Sequence, residues 1–245
     1  MVKIVPVDPE RHAGKGWRRP ASYDFAATES VVPLGGSEFA HAVSAMPIGF
    51  VERAGHYLPV ALMAVTKGCN VFVGPTGQWL GGYVPVVLRG YPFSLVRFEG
   101  AEPATLGIDE DSGLIVDDAG ENVEKFFEPD GRPSAATNVI TEFLRRLEHD
   151  QTITDLATAA LAEAGVIKPW PLTVQVGNQH ISVSGLCRVD EPALNALDDK
   201  TFLKLRKASA LVVAHGQLMS MNQVSVLSRL AFIQQQMAQS SQASA

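Results

Sequence analysis

The chain has 245 residues, 46% of them apolar and 19% charged, with 20 Lys+Arg against 26 Asp+Glu for a formal net charge of −6. That apolar content excludes a chain disordered throughout, and the length allows one large domain or two small ones. The mild acidity lacks the basic excess of a general nucleic-acid or anionic-membrane binder, while a charged fraction below the usual quarter implies some apolar surface covered by a partner.

Residues 1–32 are rich in Pro, Gly and charge, with Trp17, Tyr23 and Phe25 and the basic pair Arg18-Arg19, and read as an extended arm pinned by aromatics. A short helix is predicted over 33–45, with Ser37 as N-cap, Phe39, Ala42 and Val43 at helical spacing, and Pro47 ending it. Strands follow at 48–52, 57–65 and 70–73, with Gly55 in the first turn and Lys67-Gly68 in the second, a small antiparallel meander. Glycines 74, 77, 81 and 82 flank Trp79, after which 84–88 forms about one and a half helical turns. Strands are expected at 93–98 and 104–108. Between Asp109 and Asp130 nine acids face only Lys125, a local balance of −8 that leaves the remainder of the chain at +2. Leu114-Ile115-Val116 and Phe126-Phe127 interrupt this run, which predicts an ordered excursion.

A long central helix starts near Ser134. Ala136, Val139, Ile140, Phe143, Leu144 and Leu147 recur every three or four residues as one buried face, continued by Leu156, Ala159, Ala160 and Ala164 up to Gly165 as the C′ residue. Pro169 and Pro171 bracket Trp170 in a linker. Alternation at Leu172, Val174 and Val176, a Gly177-Asn178 turn, and alternation at Ile181 and Val183 predict a hairpin. Short helices are expected after Asp190, one long helix over 208–233, and a disordered tail over 234–245. Antiparallel strands and segregated helices give an α+β fold: an N-terminal antiparallel β-meander with short helices, a long central helix, a β-hairpin and a C-terminal helix. No repeat and no flexible linker divides the chain, which reads as a single domain over 1–245.

Pro6, Asp8, Pro9 and Glu10 interrupt any signal-peptide h-region, and the longest apolar run, 57–65, is well short of the roughly 20 residues of a membrane span. Cys69 and Cys187 form no CxxC pair and suit a reducing compartment. The expectation is a cytoplasmic protein without membrane insertion, non-classical export to the cell surface being left open. GxGxxG, GxxxxGK[ST], GxSxG and HExxH are all missing from the sequence, and none of the six histidines opens an HxD or HxE pair. The acidic run is no EF-hand, because Ser112, Gly113 and Gly120 occupy the positions that need Gly, an oxygen ligand and a bidentate Glu. No catalytic residue, metal or cofactor is therefore assigned. His149-Asp150 reads as a helix-end pair at the surface. His215 and Asn222 lie two turns apart on the last helix and read as a buried polar ladder, either hydrogen-bonded in the core or open to a ligand.

The remaining lead is aromatic. Trp79, Tyr83, Tyr91 and Phe93 with Arg89 either pack into the core or form a groove for a peptide or protein partner. An alternative polar site would draw on Glu38, His41, Asp190, Glu191, His215 and Asn222 if they converge.

At this cluster the sequence resembles a known family. Gly77-x-Trp79-Leu80-x-x-Tyr83-x-Pro85-x-x-Leu88-x-x-Tyr91-Pro92-Phe93 is similar to the signature of the bacterial SapC family. So are Pro33-Leu34 with Glu38, Pro47-Ile48-x-Phe50, Gly185-Leu186-x-Arg188-Val189-Asp190-Glu191, and Leu194-Asn195-x-Leu197. The resemblance implies an accessory role in surface-layer or envelope-nutrient systems and carries over no catalytic residue. The expected function is a non-enzymatic protein that binds a protein or peptide, with a homo-oligomer open. The alternative is an enzyme or enzyme auxiliary acting on a peptide or small molecule together with a flavoprotein partner.

Overall fold

The computed structural model describes residues 3–97, 104–117, 120 and 122–243. The fold is α+β, and every strand pairing among the described residues is antiparallel. Where the sequence reads as one integrated domain, the chain forms two compact units interleaved in sequence, the first from 1–21 and 88–149, the second from 22–87 and 150–245. The chain passes from the second unit to the first inside the short helix Val86–Arg89, and back again within the unbroken central helix Ala135–Glu163.

In the first unit, strand Thr105–Asp109 lies between Ile4–Pro6 and Phe93–Val96. A smaller sheet centres on Gly16–Trp17, which pairs with Ile115–Val116 on one side and Glu124–Lys125 on the other. The N-terminal stretch is thus not an extended arm. Ile4–Pro6 and Gly16–Trp17 are strands of these two sheets, Pro9–His12 is a short helix, and the Trp17 indole is carried into the core, edge-on to Phe93 at 4.7 Å. Val5, Leu106, Ile108, Phe126 and Leu144 complete that core, with Ala136, Ile140, Phe143 and Leu147 of the central helix packed against it at the predicted spacing. Val139 is the exception, 67% exposed. Ser134 begins the helix as expected, its hydroxyl accepting the Thr137 N–H at 3.1 Å. Tertiary structure also supplies partners to the acidic excursion that the local sequence lacks. Glu110 pairs with Lys3 at 2.6 Å and with Arg11 at 3.4 Å, and Asp117 with Lys15 at 3.8 Å. Asp118 and Glu121 of that run lie outside the described residues.

His12 is buried in this unit, its ring 4.9 Å from that of Phe126 and its Nδ1 3.2 Å from the Asp8 carbonyl oxygen. Burial disfavours the imidazolium and holds the group below the ordinary histidine value of 6.5. The unfolded chain therefore takes up the proton first as pH falls, and the stability that neutral His12 supports is lost as pH drops below about 6.5. Thermal unfolding followed at pH 7.5 and 5.5 is expected to show a smaller drop in Tm for His12→Phe than for the wild type. Equal drops in the two proteins would refute this assignment.

In the second unit five strands are ordered Ile167–Pro169, Cys187–Val189, Ile48–Arg53, His56–Leu62, Val31–Pro33. The hairpin of the third and fourth lies where the Gly55 turn predicts it, and the separate hairpin Leu172–Val176/Gln179–Val183 where alternation predicts it. The expected linker around Trp170 begins instead as a sheet-edge strand, with Trp170 itself buried. Residues 70–73 form no strand, because the Asn70 side chain occupies the local backbone, donating to the Ala26 carbonyl at 2.9 Å and accepting the Phe72 N–H at 2.9 Å.

Helices in this unit depart from the sequence reading at three places. At the first, a 3-10 turn Gly36–Glu38 leads into Phe39–Ala42, and Ser37 is not the N-cap, its hydroxyl donating instead to Asp150 at 2.8 Å. At the second, residues 150–163 of the central helix bury Thr154, Ala157, Thr158 and Leu161, leaving Leu156 and Ala159 outward. The threonines qualify for burial because Thr154 Oγ1 donates to the Asp150 carbonyl and Thr158 Oγ1 to the Thr154 carbonyl, at 2.7 and 2.9 Å, so no hydroxyl is left unpaired. At the third, the single helix expected over 208–233 is two, Ala210–Ser220 and Val224–Ala243, separated by the 3-10 turn Met221–Gln223. The second of these continues through most of the expected disordered tail.

Candidate functional site

The site is assembled around a buried carboxylate. Glu38 is 3% exposed and accepts three donors. Its Oε2 takes the Gly35 N–H at 3.2 Å, and its Oε1 takes the Val86 N–H at 2.7 Å and the Tyr83 hydroxyl at 3.0 Å. The same side chain therefore caps the turn that begins helix Phe39–Ala42 and anchors the loop that follows Trp79. Two further contacts hold that loop. Trp79 Nε1 donates to the Tyr83 carbonyl at 2.8 Å, and the indole stacks on Phe72 at 5.5 Å and leans on Tyr23 at 5.3 Å. The Tyr83 ring then lies parallel to the His41 imidazole, 5.6 Å away and inclined by 18°.

These contacts leave an open groove of about 400 Å³, with His41 and Ser44 on one side, Gly82 and Tyr83 on another, and Val226 and Arg229 of the C-terminal helix on the third. The Tyr83 hydroxyl is committed to Glu38 and the Ser44 hydroxyl donates to the His41 carbonyl at 3.1 Å. Arg229 is exposed and forms no ion pair with a described residue. The groove thus offers a guanidinium, an imidazole and a fixed aromatic face. That donor set suits a carboxylate or a main-chain carbonyl beside an apolar side chain. It holds no nucleophile paired with a base.

Of the sequence candidates for partner binding, Trp79 and Tyr83 belong to this site. Arg89, Tyr91 and Phe93 belong to the first unit. There Phe93 is 6% exposed in the core, Arg89 is exposed, and the Tyr91 hydroxyl donates to Asp109 at 3.2 Å. Burial and the neighbouring Asp109 carboxylate push the Tyr91 phenol above its ordinary value. Among the polar alternatives, Glu38 and His41 meet through Tyr83. Asp190 caps helix Glu191–Asn195, accepting the Ala193 N–H at 3.4 Å, and Glu191 is exposed. His215 and Asn222 are both exposed and separated by the helix end at Ser220, so the buried ladder expected of them does not form. The buried polar pair on that helix is Gln217 and Ser220, both 0% exposed.

Arg229 and Ser44 escaped the sequence reading. The lone cation in the apolar run VSVLSRLAFI was a usable signal for Arg229, since a charge inside such a run must find either solvent or an anion. For Ser44 nothing local distinguished it. Among the described residues no three His, Cys, Asp or Glu side chains cluster as metal ligands. Cys69 and Cys187 are free thiols. No described helix is long and apolar enough to cross a membrane. The model of the SapC family matches residues 7–227. No curated protein and no solved structure matches the chain.

Proposed function

The chain belongs to the SapC family, and on that premise we propose that it is a non-enzymatic accessory protein that binds a protein or peptide segment, serving a surface-layer or envelope-nutrient system from the cytoplasm. The observation that carries this reading is the groove between His41, Tyr83 and Arg229. Its aromatic wall is held in place by Glu38, so little ordering remains to oppose binding, and its cation has no internal partner among the described residues. An acidic or C-terminal carboxylate on Arg229, with an apolar side chain on the Tyr83 face, matches the guanidinium and the aromatic wall that the groove presents.

The test is affinity capture from the native cell with wild-type protein and Arg229→Glu in parallel, partners being quantified by mass spectrometry. Arg229 is exposed, so the variant is expected to keep the wild-type Tm while losing its partner at least tenfold, on the order of a charged hydrogen bond reversed to repulsion. A partner retained equally by both proteins, or no partner held in stoichiometric amount, would sink the proposal. A flavoprotein held by the wild type and lost by the variant would turn the reading toward the enzyme-auxiliary alternative.

A further inference from the structure

The groove between His41, Tyr83 and Arg229 also presents main chain. Gly81 and Gly82 line it, and neither N–H has a hydrogen-bond partner among the described residues. The two glycines stand there for different reasons. A Cβ on Gly81 would lie 2.7 Å from Phe72 Cδ1 and 2.9 Å from Trp79 Nε1, so the packing of the indole excludes one. A Cβ on Gly82 would meet nothing within 4 Å, and its φ lies outside the left-handed region. Neither packing nor backbone conformation therefore calls for glycine at 82, although glycine costs a folded chain entropy. The use that is left is to let a ligand approach the main chain closely. The lining carries one guanidinium and one imidazole and no Asp or Glu. The Glu38 carboxylate, 3% exposed and taken up by three donors, is not part of it.

We propose that the groove takes the free C-terminus of a partner protein. Its carboxylate is shared between the Arg229 guanidinium and the Gly81 and Gly82 N–H groups, and its last side chain, apolar and of modest size, lies against Leu80, Tyr83 and Val226. This rests on the reading of the groove as a peptide site and narrows it to one kind of peptide. Charge complementarity argues for an anion, because the lining holds a cation that no described carboxylate pairs with. The unpartnered N–H groups argue for an anion set close to the main chain, as where backbone donors capture a chain terminus. Size argues for the end of a chain, since about 400 Å³ is at the low end of small-ligand pockets and gives a terminal residue room that a strand passing through would not have. Branching argues the same way. In a C-terminal residue the carboxylate and the side chain leave one carbon, so a single residue reaches both the donors and the apolar lining. An internal Asp or Glu would spend its side chain on the donors and would have to carry chain out of the groove in both directions.

The experiment is selection, on the full-length protein, of a random peptide library displayed with free C-termini, followed by fluorescence anisotropy of the enriched peptides as acids and as C-terminal amides. The expected consensus is an apolar residue at the last position, and amidation is expected to weaken binding by about tenfold or more, the worth of a charged hydrogen bond. Arg229→Gln and Gly82→Val are each expected to weaken the acids by a similar factor at unchanged Tm. Arg53→Gln, at an exposed arginine outside the groove, is expected to leave them unchanged. Gly82→Ala gives the same reading with the smallest side chain should Gly82→Val unfold. No enrichment, or acids that bind Arg229→Gln and the Gly82 variants as tightly as the wild type, would overturn the site. Amides that bind as tightly as acids and are still lost with Arg229→Gln would overturn the terminal carboxylate while leaving the peptide groove standing.

Discussion

Glu38→Gln is expected to destabilise the second unit by about 3 kcal/mol and to open the groove, because one side chain there satisfies three donors. An ionised carboxylate only accepts, and the Gly35 N–H, the Val86 N–H and the Tyr83 hydroxyl all point at it. Glutamine keeps one acceptor oxygen and turns its own N–H2 toward whichever donors the other oxygen served. The outcome is a buried donor facing a donor, for which a cost of about 1–3 kcal/mol per orphaned group is ordinary, and more where the lost bond was to a charge. Tyr83→Phe separates the parts. It removes one hydroxyl and leaves both backbone donors on Glu38, so a loss of about 1 kcal/mol is expected, with weaker partner capture. Urea unfolding followed by tryptophan fluorescence reads both variants, since Trp79 sits in the loop that Glu38 anchors. A Glu38→Gln protein within about 0.5 kcal/mol of the wild type would show that the carboxylate is not the anchor.

Gln217→Leu is the second large effect expected. Helix Ala210–Ser220 lies against the place where strands Cys187–Val189 and Ile48–Arg53 are paired only at Cys187 and Phe50. The ladder stops there, and Gln217 completes it. Its Oε1 accepts the Val189 N–H at 2.9 Å and its Nε2 donates to the Ile48 carbonyl at 3.1 Å. Ser220 supplies the third bond, accepting the Ile48 N–H at 3.0 Å. Leucine has the size of glutamine and none of its polar groups, so the substitution fills the space and orphans one buried N–H and one buried carbonyl, at about 1–3 kcal/mol each. Ser220→Ala is expected to cost less, about 1–2 kcal/mol, and the pair is expected to be non-additive because both side chains serve Ile48. A Gln217→Leu protein as stable in urea as the wild type would mean that water or a shifted strand takes over both groups.

Much of the architecture was legible in the chain itself. The Gly177-Asn178 hairpin announces itself by alternation around its turn, the Gly55 hairpin by its turn glycine between two apolar runs, and the central helix by Ser134 at its start and Gly165, with φ of +70°, just beyond its end. These are local signals, carried by neighbours within a few residues. The half-buried aromatic loop at Trp79 and Tyr83 was also legible as a lead, although the five-residue cluster proposed around it is divided between two units.

The remainder depended on long-range pairing. Thr154 and Thr158 look polar in the sequence yet line the interior, because their hydroxyls donate one helical turn back and Thr154 Oγ1 also accepts the Gly36 N–H at 2.7 Å. That rotation of the buried face leaves Leu156 67% exposed. Gln217 and Arg229 are each a long polar side chain set among apolar neighbours, in LVVAHGQLM and VLSRLAFI. The first is buried because two strands 28 and 169 residues away leave backbone groups for it to satisfy, and the second is exposed. Sequence by itself determined the fold class, the hairpins, the central helix and the family. The tertiary structure decided which polar residues are structural and which are free to bind, since a buried polar group is defined by partners that lie far away in the chain.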